Sequence, residues 1–210
     1  GRTVADVRML FELLRGPDPA DRSSLSAWAA QQRMRPASHP LRVLYVEHLN
    51  NNPLDRQIAA SCRAAVQRLA ALGHRVEDGP LPVDVSGLMQ AWPEIGQVGL
   101  AAMFDQHPDW EAQASAKYRE GAEAGRRVSG ARVWQIMERV RQLRRESAAM
   151  FERFDVIAMP AAAALPWPAH ESYPTHIDGQ EVGPRGHAAY TGWVNAAGLP
   201  GLALPATPSR

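Results

Sequence analysis

The residues whose types could do chemistry crowd into one stretch, 160–198, which is rich in Pro, Gly, His and aromatics. His170, His176, Asp178 and His187 fall there, and imidazole with carboxylate suits zinc or iron. Their spacings match no compact ligand motif, so the expectation is solvent-facing histidines and neither a metal nor any other cofactor; a metal-dependent loop site stays as a minor reading. Serine hydrolysis through an exposed elbow is disfavoured, because no Gly-x-Ser-x-Gly segment occurs. A lysine base has one candidate, Lys117, the only lysine in the chain. It has no adjacent serine cluster or glycine-rich turn to activate it and reads as a surface charge. Cys62 lies on the apolar stripe of a predicted helix and reads as a small core residue.

Tyr190, Trp193 and Asn195 stand just before the Gly198-Leu199-Pro200 turn. Aromatics with one amide beside strand ends line many small-molecule pockets, so these three are the predicted substrate-binding residues. Two structural alternatives sit beside that reading. The aromatics would serve equally to seal the core, and Asn195 would serve to hold backbone groups at the turn. Trp134 and Trp92, at helical spacing, are expected in the core.

The elements that must position these residues follow from periodicity. Thr3 and Asp6 have the form of a capping box ahead of a helix over about 3–15, which Gly16-Pro17 stops. Residues 16–41 carry four prolines and read as a connector, with at most a short helix near 25–33. Leu41 to Val46 alternates as a strand, 55–72 repeats as a helix closed by Gly73, and 74–77 returns to strand, giving a β-α-β unit. Further helices are expected over 85–104, kinked or restarted at Pro93, over 110–127, and over 129–154. Two short apolar strands are expected at 155–159 and 201–205, in one sheet with 42–47, and the helices at 55–72 and 130–153 pack on that sheet. The 160–198 region between the last strands reads as a long functional loop.

Composition narrows the partners. The 210 residues are 45% apolar, enough for a core, and 23 basic against 22 acidic residues leave a formal charge of +1. Neither nucleic acid nor an anionic membrane is an expected partner. No apolar run approaches the roughly 18 residues of a membrane span. A single cysteine excludes an internal disulfide framework, so a reducing, cytoplasmic setting is expected. Gly1-Arg2-Thr3 and Pro208-Ser209-Arg210 both read as cut ends.

Four segments together resemble the amidase-signature family of hydrolases: Arg2 to Asp6 leading through Leu13-Leu14 to Gly16-Pro17-Asp18-Pro19-Ala20-Asp21; Leu41-Arg42-Val43 with its helix and His74-Arg75-Val76; Phe154 to Pro160; and Asn195 to Pro205. The resemblance implies an α/β fold, a mixed β-sheet covered by helices, and a Ser-Ser-Lys device. There a neutral lysine takes a proton through a bridging serine from the serine that attacks an amide carbonyl, and backbone N–H groups hold the oxyanion. No Gly-Gly-Ser-Ser-Gly-Gly-like segment occurs in this chain, and Lys117 lacks the family's lysine context. The resemblance therefore implies a partial domain over 1–210, downstream of the signature, holding no catalytic residue of its own. Its expected partners are a small-molecule amide and either the upstream part of the same chain or a second copy. The alternative is a degenerate, non-catalytic module that binds a small ligand or serves as a subunit.

Overall fold

The computed structural model describes residues 1, 3–21, 23–25, 28 and 40–206. They form two units, 1–39 and 40–210. In the first, helix α1 (Val4–Leu14) begins as its sequence dictates: the Thr3 hydroxyl accepts from the Asp6 amide at 3.1 Å, and the Asp6 carboxylate accepts from the Thr3 amide at 3.0 Å. Most of the short helix expected over 25–33 lies outside the described residues.

The second unit is built on strands β1 (Arg42–Tyr45), β2 (Arg75–Asp78) and β3 (Val156–Ala158), ordered β2-β1-β3 and all parallel. Val43 stands opposite Val76 on one side and Val156 on the other. Helix α2 (Arg56–Ala71) makes the crossover from β1 to β2. Asp55 caps it by accepting from the Gln57 amide at 2.8 Å, and Gly73, at φ 91, supplies the left-handed turn that returns the chain to the sheet. The start of β3 is clamped to the start of β1. There Asp155 accepts from the Arg42 backbone amide at 2.8 Å and from its guanidinium at 2.9 Å.

Helices α3 (Ser86–Gln106), α4 (Pro108–Gln113), α5 (Ala116–Arg126) and α6 (Gly130–Arg153) lie between β2 and β3 in the chain. Pro93 neither breaks nor restarts α3, which continues through it; the helix expected over 110–127 is instead two helices, α4 and α5. The α6 stripe Ile136, Val140, Leu143 and Met150 shares one core with Leu44 and Val46 of the β1 segment. Trp134 is a correction. It is 64% exposed, because two residues from Ile136 carries it about 200° round the helix, and the Arg141 guanidinium covers its ring at 4.9 Å.

The 201–205 segment is a second correction. It forms no strand, and Leu202 and Leu204 are 67% and 63% exposed. Its apolar pattern carries a preference for burial, yet a strand exists only where a neighbour supplies the ladder, and no described strand lies beside it. Residues 160–198 are also more structured than a loop. An Asp178-Gly179 turn, with φ 48 and 77, joins β4 (His176–Ile177) to antiparallel β5 (Gln180–Glu181). A 3-10 turn covers Gly186–Ala188, and helix α7 (Gly192–Ala197) ends at Gly198, φ 69. Among the described residues no helix is long and apolar enough to cross a membrane.

Candidate functional site

The carboxyl ends of β1 and β3 are covered by the segment that follows β3. The Ala163 carbonyl accepts from the Asp55 amide at 2.9 Å, and the Ala163 amide donates to the His187 carbonyl at 3.0 Å. Arg56 reaches Asp178 at 2.8 Å, tying the β4–β5 hairpin to the start of α2. In parallel α/β sheets ligands bind outside the carboxyl ends of the strands, so this covering is the first place to look.

Tyr190 and Trp193 both lie here, and both are interior. Tyr190 is fully buried and Trp193 is 2% exposed, in the core shared with Leu49, Leu54 and Leu88. The Tyr190 hydroxyl faces the turn after β1, 3.5 Å from the Asn52 carbonyl, and burial pushes its pKa up. Trp193 Nε1 is buried with no hydrogen-bond partner among the described residues. Asn195, on the same short helix, is exposed. Of the three predicted site residues, then, only Asn195 is exposed, while Tyr190 and Trp193 are buried.

The histidines do not converge. His170 lies 3.9 Å from Glu171, His176 contacts Thr175 at 3.1 Å, and His187 packs its ring on Trp167, 4.7 Å between centroids. Among the described residues no three His, Cys, Asp or Glu side chains gather to hold a metal ion. Cys62 is half-buried on α2, its thiol pushed up first by desolvation and then by the Glu47 charge. On the central strand β1 burial, reinforced by Glu47, holds the Tyr45 hydroxyl protonated well above its ordinary range.

Sequence reasoning missed a groove of about 740 Å³. Trp92, Gly96 and Leu100 of α3 form one wall, Lys117, Tyr118 and Gly121 of α5 another, and Arg185 closes it. The signal was present in the glycines: Gly121 and Gly125 are one turn apart on α5, and an added Cβ at Gly125 would lie 2.1 Å from the Gln97 carbonyl oxygen. That contact brings α3 and α5 together with the groove along their seam. The sequence does not reveal which loop supplies Arg185.

A short parallel sheet flanked by helices, with its carboxyl edge covered by an ordered segment, defines an α/β domain. The comparisons with known proteins are more specific. The Amidase family model matches residues 1–210, and the chain belongs to that family. The chain is 25% identical to an indoleacetamide hydrolase of Bradyrhizobium diazoefficiens, over 97% of this chain and 38% of that protein. Among solved structures it is similar to a 6-aminohexanoate cyclic dimer hydrolase (TM-score 0.75, 22% identity, 94% of this chain and 45% of that one). A bacterial aryl acylamidase of the amidase-signature family has the same fold (TM-score 0.65, 17% identity, 76% of this chain and 36% of that one). The chain thus spans less than half the length of each of these relatives.

Proposed function

We propose that residues 1–210 are the sheet-bearing part of an amidase that cleaves the carbon–nitrogen bond of a small amide with a serine lying outside these residues, and that this chain alone is inactive. The observation that supports this most is the family match along all 210 residues, set beside a coverage of only 38% of the indoleacetamide hydrolase. The described residues also offer no activated base. Lys117 is exposed, and it makes no hydrogen bond or ion pair among them. Serine attack needs a base within hydrogen-bond reach of the nucleophile.

In this reading the exposed Asn195 borders the substrate, with Tyr190 and Trp193 as the packed floor beneath it. The covering of the β1 and β3 ends supplies the rigid frame. Amine release from a panel of small amides is the test, measured for the 210-residue chain and for the full-length protein that carries it. Turnover by the full-length protein alone is expected, with Asn195→Ala mainly raising KM. No turnover by either would replace this reading with the non-catalytic module.

A further inference from the structure

The groove between α3 and α5 has a composition that the reading above does not use. Its volume, about 740 Å³, lies within the roughly 300–1,000 Å³ of small-molecule sites. Trp92 and Tyr118 bring two rings to it, while Leu100 and Ile95 add apolar wall. Lys117 and Arg185 bring two cations, neither in an ion pair among the described residues, and Glu120 brings one carboxylate. The contrast with the smaller recess between α3 and α6, about 150 Å³, is informative. Both arginines there are already engaged, Arg132 by Glu94 at 2.7 Å and Arg139 by Glu146 at 3.0 Å and by the Asp84 carbonyl.

We propose that the α3–α5 groove is a binding site for a small aromatic carboxylate, its ring against Trp92 and Tyr118 and its carboxylate between Lys117 and Arg185. The charges set the class of ligand. Two cations less one carboxylate leave a single positive charge, which one carboxylate neutralises. Arg185 offers a planar fork that takes both carboxylate oxygens, and Lys117 a point charge on a flexible stem. Lys117 also stands in the first turn of the 11-residue α5, where the helix dipole adds to its field. Glu120 disfavours ligands that carry the charge elsewhere along the groove. The site is independent of where the nucleophile lies, so it stands or falls separately from the amidase reading.

Calorimetric titration of the 210-residue chain with 2-naphthoate and with its neutral isostere 2-naphthamide tests this. The acid is expected to bind about tenfold more tightly than the amide, the size of a charge-assisted contact shared between two cations. Lys117→Met and Arg185→Met are each expected to weaken the acid about three- to tenfold, and the double variant to bind acid and amide alike. Both positions are exposed, so folding should persist, as circular dichroism would verify. Gly96→Met, whose Cβ meets nothing within 4 Å, fills the groove from a helical position and is expected to abolish binding of both probes. Equal binding of acid and amide by the unmodified chain, no binding of naphthoate at millimolar concentration, or full binding by the double variant would each overturn the proposal.

Discussion

Gly125→Ala tests the packing of α3 against α5 most sharply. In the structure an alanine Cβ there would lie 2.1 Å from the Gln97 carbonyl oxygen, 2.3 Å from its carbon and 2.8 Å from the Val98 amide nitrogen. These are backbone atoms, so no rotamer change relieves the clash; the helices must separate by more than 1 Å to restore ordinary contact. Separation loosens the small cluster of Ala101, Phe104 and Ala122 and strains the Arg126 bonds to Asp105 and Glu111, 2.8 and 2.9 Å long. Overpacking of this kind costs about 1–3 kcal/mol, and alanine's better helix propensity returns about 1 kcal/mol. The net expectation is a loss of about 0–2 kcal/mol, against a gain for an alanine that meets no clash. Gly99→Ala is the internal control. It keeps the propensity gain, meets nothing within 4 Å, and should stabilise by up to about 1 kcal/mol. Urea denaturation of the three proteins, with the slope compared as well as the midpoint, gives both numbers. A Gly125→Ala protein as stable as Gly99→Ala would refute the close crossing and, with it, the walls of the groove.

Two further outcomes follow from burial and charge. Trp193→Ala should cost about 3–5 kcal/mol, as a large buried side chain does, whereas Trp134→Ala, 64% exposed, should stay within about 0.5 kcal/mol by the same denaturation measurement. The Glu94 and Glu111 carboxyls are held below the usual carboxylate range, first by hydrogen bonds from Arg132 and Arg126. A depressed folded pKa gives stability that is complete above the ordinary carboxylate value and lost as pH falls toward the folded one. The melting temperature of Glu94→Gln should therefore converge on that of the parent in acid and fall below it near neutrality; a constant difference across pH would refute the coupling.

What was legible in the sequence was what local chemistry decides. The capping box at Thr3 and Asp6, the helical repeat closed by Gly73 and the alternation of 42–46 each act over a few residues, and the β-α-β unit follows from the last two. Trp134 was misplaced because helical spacing alone does not say which face of a helix is buried; only the packing of Ile136 and Val140 in the core shared with Leu44 and Val46 fixes that face. The apolar run at 201–205 resembled β3 in composition, but strand pairing is decided by a neighbour, and that information is not in the run. For Tyr190 and Trp193 the sequence left pocket and core readings side by side, because their local pattern does not reveal the helix that carries Trp193 inward. The groove was invisible for a similar reason, since Arg185 reaches α5 only through the folded chain.

The central claim concerns where the nucleophile resides, and covalent labelling addresses it without requiring the natural substrate. A fluorophosphonate probe reacts with an activated serine Oγ, expelling fluoride and leaving a stable phosphonyl ester whose position peptide mass spectrometry identifies. Applied to the full-length protein, the probe is expected to mark one serine outside residues 1–210, and applied to the 210-residue chain it is expected to mark none. A labelled serine within these 210 residues, with labelling lost in Lys117→Ala, would contradict the account.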